Sequence, residues 1–365
     1  MSSIPNLNTL RSGRRGPRLR ERRGSRGRGH RVILGEEDIE TSRDQVIQQT
    51  DNDASSSRMS AVESGYLEDP FAKSFFPAGQ EVARRYPIIN RGTYVRTKGI
   101  DRLVSCFLNT DPDSEKQIVS LGAGSDSRFF RMCAGKHNVA YHELDFESNV
   151  TPKRATIRSS EQLSRMALGQ EGGSTYHLHA VDLRDLTQKS PPAIPGIAPD
   201  VPTLLVSECC LCYLPPEQAI SVLQYFTMNL QGPLAMLLYE PIRPFDAFGR
   251  TMVSNLASRG IELRTVKRYF SLEGQRERLK LAGFKDGQGA RDVHEIWSSS
   301  EWISGAERER VEKLEWLDEV EEWKLLASHY CIAWAWRGAW FEQVWRDIAG
   351  GRSSSEAQDD DFERI

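Results

Sequence analysis

The sequence lacks the features of a membrane-inserted or exported chain. No apolar run approaches the roughly 18 residues that suggest a spanning helix, and the first residues lack the apolar core of a secretory signal peptide. We therefore expect no membrane segment and no secretion. The expected location is the cytoplasm, with the nucleus as a further possibility.

Cysteine is scarce, and histidine shows no spacing typical of a metal site. Three of the six cysteines, Cys209, Cys210 and Cys212, lie on an apolar segment that we interpret as a strand, where thiols behave as small hydrophobic side chains. We predict no metal site and a reducing compartment.

The small net charge of −3 hides an uneven distribution. Residues 1–31 contain ten arginines and one acid, Glu21, so they carry +9 and the remainder carries −12. A body with a net negative charge argues against a nucleic-acid substrate, because contacts to phosphate supply most of that affinity. We expect no nucleic-acid substrate, although the arginine-rich arm leaves RNA binding or nuclear import open.

Polar composition at both ends sets the expected domain boundaries. Residues 1–53 are first arginine- and glycine-rich and then acidic, and they contain too few apolar residues to offset the entropy cost of ordering. Residues 350–365 are similarly polar. We predict one domain over residues 54–349, flanked by two disordered segments, and a monomer.

Short apolar runs alternate with amphipathic segments inside this domain, which predicts a mainly parallel sheet with helices on both faces. Residues 305–323 are predicted to form one acidic surface helix. Residues 329–336 are predicted to form a late strand whose partner lies around 294–297. The five earlier predicted strands are 118–121, 139–144, 176–181, 203–207 and 234–239.

The residues that follow the first four strands suggest a ligand site. Gly122-Ala123-Gly124 follows the first, and Asp145, Asp182 and Glu208 stand at the ends of the next three. Ligands of open α/β sheets bind beyond the carboxyl ends of the strands. Asp145 follows Gly124 by 21 residues, close to the spacing of an acid that accepts from a ribose hydroxyl. The third glycine of a dinucleotide motif is missing, which favours an adenosyl cofactor without a pyrophosphate.

The order and spacing of these segments resemble the leucine carboxyl methyltransferases over roughly residues 54–349. The resemblance is carried by residues 88–97 (IINRGTYVRT), 117–126 (QIVSLGAGSD), 144–146 (LDF), 181–186 (VDLRDL), 203–209 (TLLVSEC), 240–242 (EPI) and 329–330 (HY).

This resemblance implies a class I S-adenosylmethionine-dependent methyltransferase fold with an added helical cap. It also implies methylation of the C-terminal leucine carboxylate of the protein phosphatase 2A catalytic subunit, which regulates phosphatase assembly. Tyr213 is the candidate for the substrate cleft, and Arg58 stands where family members often have lysine. The cofactor residues carried over are Arg58, Arg96, Gly122, Asp145, Asp182, Leu183 and Glu208.

The resemblance also suggests roles for these residues. Arg96 should pair with the methionine carboxylate of the cofactor, Asp145 should hold the ribose hydroxyls, and Glu208 should meet the amino group. Asp182 and Leu183 should border the adenine. We predict no catalytic general base, because a peptide carboxyl group is already ionised at neutral pH.

Two other functions remain open from the sequence. One is a related transfer-RNA wybutosine-pathway methyltransferase, although such relatives carry an added repeat domain and this chain shows no such repeat. The other is a non-catalytic RNA- or protein-binding module built on a retired methyltransferase fold.

Overall fold

The structure, a computed structural model, describes residues 36–77, 79–170 and 172–349. The first 35 residues of the predicted arm and the predicted acidic tail lie outside the described residues. Within the described part, seven strands form one sheet: Lys116–Leu121 (β1), Val139–Asp145 (β2), Thr175–Ala180 (β3), Thr203–Glu208 (β4), Leu234–Pro241 (β5), Gly287–Asp292 (β6) and Tyr330–Arg337 (β7).

The sheet is mainly parallel, as predicted, and its order is β3-β2-β1-β4-β5-β7-β6. Strands β1 to β5 pair in parallel, whereas β7 runs antiparallel to both β5 and β6. The described chain contains eleven α-helices: Glu36–Glu63 (α1), Pro87–Asn109 (α2), Glu147–Ser159 (α3), Glu161–Ala167 (α4), Pro216–Asn229 (α5), Ala247–Ser258 (α6), Leu272–Ala282 (α7), Val293–Ser298 (α8), Gly305–Glu312 (α9), Val320–Ser328 (α10) and Ala339–Ala349 (α11).

Successive strand residues pack into two cores, one on each face of the sheet. Ile118 belongs to the core that includes α2, whereas Val119 and Leu121 belong to the core that includes α5. Because both faces are covered, the central strands are continuous apolar runs, and this is why the sequence predicts them well. None of the described helices is both long and apolar enough to cross a membrane.

The predicted domain boundary at residue 54 needs correction. Residues 36–53, which we assigned to the arm, are the N-terminal part of the continuous helix α1. The segment is polar because charged side chains attach it to the domain: Asp44 pairs with Arg184, and Asp53 pairs with Arg85 and Arg259. Low apolar content is therefore a poor guide to disorder where ion pairs supply the contacts.

Three local predictions also differ from the structure. The segment 305–323, predicted as one helix, contains α9, a loop and the start of α10. The prediction was wrong because Leu314 and Leu317 of the loop pack on the core and so continue the apolar spacing of a helix. The antiparallel partner of β7 on its outer edge is β6, while the residues around 294–297 form α8. Strand β4 ends at Glu208, and Cys209 has a φ of +50°, so the cysteine segment is a turn.

Candidate active site

A glycine turn follows β1 at the carboxyl edge of the sheet. Gly122 and Gly124 have φ values of +64° and +50°, which L side chains rarely adopt. A Cβ atom at Gly122 would collide with the thiol of Cys210, and one at Gly124 would collide with the carboxylate of Asp51. The two glycines thus allow a close approach of neighbouring segments from β4 and α1.

Asp145, at the end of β2, braces this turn. Its Oδ2 accepts from the N–H of Gly124 at 2.7 Å, and its Oδ1 accepts from the N–H of Phe146 at 2.7 Å and from Nδ2 of Asn149 at 3.0 Å. Burial raises the pKa of Asp145 although these hydrogen bonds oppose the shift. A carboxylate held this rigidly at a strand end is suited to accept from a ligand hydroxyl.

Glu208, at the end of β4, lies between two arginines. Its Oε2 accepts from Nε of Arg96 and its Oε1 from Nη2 of Arg128, both at 2.7 Å. Burial alone would raise the pKa of Glu208, but the two guanidinium groups hold it well below its usual range. Arg96 also lies over the ring of Tyr239, 4.6 Å from its centroid. Arg96 contacts Glu208 through Nε, so its two terminal nitrogens do not take part in that hydrogen bond. They are suited to donate to a ligand carboxylate.

Arg128 is fully buried and connects this pair to the rest of the site. Its Nε lies 3.0 Å from Oδ1 of Asp101, which belongs to α2, and its Nη1 lies 2.5 Å from Oδ2 of Asp126. Arg131 pairs with the same Asp101 at 2.7 Å. The network fixes α2, the glycine turn and the end of β4 relative to one another.

Arg58 and Tyr213 both line the cavity that these segments enclose. Arg58, on α1, pairs with Asp69 at 3.2 Å, and Asp69 also accepts from Oγ of Ser127 at 2.6 Å. Tyr213 ends a short 3₁₀ helix after β4. Burial raises the pKa of Tyr213 well above its ordinary value, so its phenol stays protonated and able to donate a hydrogen bond.

Asp182 and Leu183 follow β3 and are joined to α1 through an arginine. Asp182 caps the following 3₁₀ helix by accepting from the N–H of Arg184 at 2.9 Å, and it also pairs with the guanidinium of that residue. The same guanidinium pairs with Asp44 of α1 at 2.5 Å. Leu183 is buried beside them.

One cavity of about 440 Å³ brings all of the predicted site residues together. Its lining includes no histidine, and no group of side chains in the described ranges is arranged to hold a metal ion. The predicted residues that line it are Arg58, Arg96, Gly122, Asp145, Asp182, Leu183, Glu208 and Tyr213.

The sequence reasoning missed Asp44, Asp51 and Arg128. A usable signal existed for the first two, because Asp44, Asp51 and Arg58 are separated by seven residues each and so fall on one face of a helix. Arg128 lies only four residues after Gly124, but its contact with Glu208 spans 80 positions in the chain and no local pattern predicts it.

The strand order, the reversed β7, the glycine turn after β1 and the acids after β2, β3 and β4 together define a class I methyltransferase fold. The expected fold class is therefore confirmed. Comparison with known sequences then narrows the class. A sequence model of the leucine carboxyl methyltransferase family matches residues 46–227, beginning inside α1.

Full-length relatives agree with this match. The protein named Leucine carboxyl methyltransferase 1 in Aspergillus fumigatus is 49% identical, over 96% of this chain and 98% of that protein. The protein of the same name in Emericella nidulans is 50% identical, over 95% of this chain and 97% of that protein. The one in Schizosaccharomyces pombe is 39% identical, over 83% of this chain and 96% of that protein. The chain belongs to the leucine carboxyl methyltransferase family and is a methyltransferase.

Proposed function

We propose that the enzyme uses S-adenosylmethionine to methylate the C-terminal leucine carboxylate of the protein phosphatase 2A catalytic subunit. The product would be a methyl ester, which removes one negative charge from the phosphatase terminus and would thereby regulate its assembly with other subunits. The family supports a leucine carboxyl acceptor. The observation that carries the proposal is the Arg96–Glu208 pair, which holds a guanidinium on the wall of the cavity beside the glycine turn.

The residues present fit the proposed cofactor. The turn at Gly122 and Gly124 gives close backbone approach, and Asp145 holds a fixed carboxylate at the end of β2. We assign the ribose hydroxyls to Asp145, the methionine carboxylate to Arg96 and Arg58, and the adenine edge to Asp182 and Leu183. When bound, the cofactor supplies a methyl group on a positive sulfonium, which is already an activated electrophile.

We propose for Glu208 a role other than the one expected from the sequence. Both of its oxygens accept from arginines, so it is well placed to orient Arg96 and already has two cationic partners. We therefore assign Glu208 to positioning Arg96 rather than to binding the amino group of the cofactor.

The chain's contribution to the reaction is positioning and charge. With the cofactor held by Arg58, Arg96 and Asp145, its methyl group would pass to one oxygen of the acceptor carboxylate, and the sulfur would leave as a neutral thioether. The acceptor needs no deprotonation at pH 7, because a peptide α-carboxyl group has a pKa near ~3.5. The negative charges of Glu208 and Asp182 would repel the acceptor, but Arg96, Arg128 and Arg184 pair with them. What remains is alignment of the reacting atoms.

Transfer of labelled methyl from S-adenosylmethionine to purified phosphatase catalytic subunit tests this function. The expected label is released by mild base, as a methyl ester requires. Substrate lacking its terminal leucine, or amidated at the terminus, should accept none. Equal labelling of the amidated substrate would show that the nucleophile is a different group. The Arg96→Ala variant serves as the low-activity enzyme control.

A further inference from the structure

Helix α1 presents three charged residues to the cavity at intervals of seven. Asp44, Asp51 and Arg58 share one face, because seven residues make nearly two turns, or about 10.5 Å of helix. Asp44 pairs with Arg184 after β3, and Asp51 accepts from Ser125 after β1. The helix therefore crosses the site from the residues assigned to adenine towards those assigned to the methionine carboxylate.

Charge balance distinguishes Asp51 from most other acids of the cavity. Among the described residues eight acids line the cavity, and Asp51 and Asp145 are the two that form no ion pair with an arginine. They bind consecutive backbone N–H groups of the glycine turn: Asp145 accepts from the N–H of Gly124, and Asp51 accepts from the N–H of Ser125 at 2.8 Å. The six paired acids are Asp44, Asp53, Asp126, Asp182, Glu208 and Glu262.

One carboxylate oxygen of Asp51 is available to a ligand. The N–H and the hydroxyl of Ser125 both donate to its Oδ1 at 2.8 Å, and Oδ2 receives no hydrogen bond from the described part of the chain. Asp51 thus adds a negative charge to the cavity wall and has no ion-pair partner within the ranges that the structure describes. A neutral or anionic ligand would gain nothing from that charge, whereas a cation would be attracted to it.

We propose that Asp51 makes the enzyme discriminate between the positively charged methyl donor and its neutral product, by placing a carboxylate beside the sulfonium. This inference rests on the proposed function. Asp51 binds the glycine turn next to Asp145, assigned to the ribose, and precedes Arg58, assigned to the methionine carboxylate, by about two turns of α1. The sulfur links those two parts of the cofactor. Methyl transfer leaves a neutral thioether, so the attraction ends with the reaction and the product is held less tightly.

Calorimetric dissociation constants for S-adenosylmethionine and S-adenosylhomocysteine test this role. Asparagine at this position keeps the shape and an acceptor oxygen for Ser125, and it removes the charge. Asp51→Asn should weaken binding of S-adenosylmethionine by roughly tenfold and that of S-adenosylhomocysteine by about twofold or less. Glu63→Gln removes a charge from the same helix at an exposed residue outside the cavity, and should change neither constant.

Two results would overturn the inference while leaving the proposed function intact. Equal weakening of both ligands in Asp51→Asn would mean that the residue only braces the glycine turn or contacts a group that both ligands carry, the ribose or the amino group. Unchanged binding of both would mean that it does not act on the cofactor. Failure of the wild-type protein to bind either ligand would instead refute the proposed function itself. Equal melting temperatures would verify that the variants are folded.

Discussion

The guanidinium of Arg128 has no exposed surface, and it donates to the same carboxylate, Glu208, that orients Arg96. It also pairs with Asp101 and Asp126. Burying several charges is tolerable only when their contacts are complete, since each loses its hydration. Arg128 therefore holds three carboxylates of this part of the site in place.

Replacing Arg128 by methionine should destabilise the protein strongly. Asp101, Asp126 and Glu208 would each lose one buried cationic partner, a change that typically costs about 3–5 kcal/mol. Urea unfolding followed by fluorescence measures the change. Lys313→Ala, which removes an exposed partner of Glu309, should leave the unfolding midpoint nearly unchanged. A similar midpoint for Arg128→Met and the wild type would contradict the importance of the buried network.

Replacing Arg96 by alanine should weaken cofactor binding more than it affects folding. The lost interaction with the methionine carboxylate corresponds to about 1–3 kcal/mol of binding free energy. Titration calorimetry with S-adenosylmethionine gives this quantity directly. Lys98→Ala removes an exposed cation from the same helix and is the matched control. Wild-type affinity in Arg96→Ala would remove Arg96 from the cofactor site.

The sheet and the strand-end residues could be predicted from the sequence because their signals are local. A central parallel strand is an apolar run followed by a turn, so Leu121 and Gly122 together indicate both the strand and the edge of the site. The contacts of Arg128 depend on residues far apart in the chain, which no local pattern indicates. The prediction of disorder for the N-terminal part of α1 is wrong for a different reason. Asp44 and Asp53 are polar, yet they form ion pairs within the domain.

Deleting residues 1–53 should therefore damage the enzyme, contrary to what a disordered arm would imply. The deletion removes Asp44, Asp51 and Asp53, each of which contacts another element of the domain. We expect a lower melting temperature and a large loss of S-adenosylmethionine affinity. Deletion of residues 1–35 alone is the comparison, and it should retain cofactor binding. Equal behaviour of the two truncated proteins would show that the N-terminal part of α1 is dispensable.

Acidification should destabilise the fold through a histidine cluster on β2 and β3. Burial, together with neighbouring histidines, lowers the pKa of His142 to about 3 and that of His179 to about 4. Unfolded histidine has a pKa near ~6.5, so below that pH the unfolded state binds more protons than the native state. The contribution of these histidines to the free energy of unfolding is therefore complete above about pH 6.5, and it decreases as the pH falls towards 4. Urea midpoints at pH 7.5, 6 and 5 should show this decline.

The pH dependence of His142→Asn separates this effect from general acid unfolding. Asparagine cannot titrate, so the variant should lose less stability than the wild type between pH 7.5 and 5, whatever its stability at pH 7.5. A parallel decline in the two proteins would assign the acid sensitivity to other groups.

The turnover rate should be nearly constant between pH 6 and 8, because the proposed reaction needs no general base. The acceptor carboxylate is ionised throughout that range, and no histidine lines the described cavity. Burial raises the pKa of Tyr213 and of Tyr239 well above ordinary values, so neither phenol accepts a proton from the substrate. Cys209 is the group to exclude, since a hydrogen bond from Cys212 lowers the pKa of its thiol.

Single-turnover rates with saturating phosphatase and cofactor measure the chemical step across this range. We expect the wild type and Cys209→Ala to give flat profiles that run parallel. A change in phosphatase binding with pH would alter KM but would not change the single-turnover rate at saturation. A rise in that rate with pH that disappears in Cys209→Ala, or in Tyr213→Phe, would identify a proton acceptor. In that case positioning alone could not account for the reaction, and the base-free mechanism would be wrong.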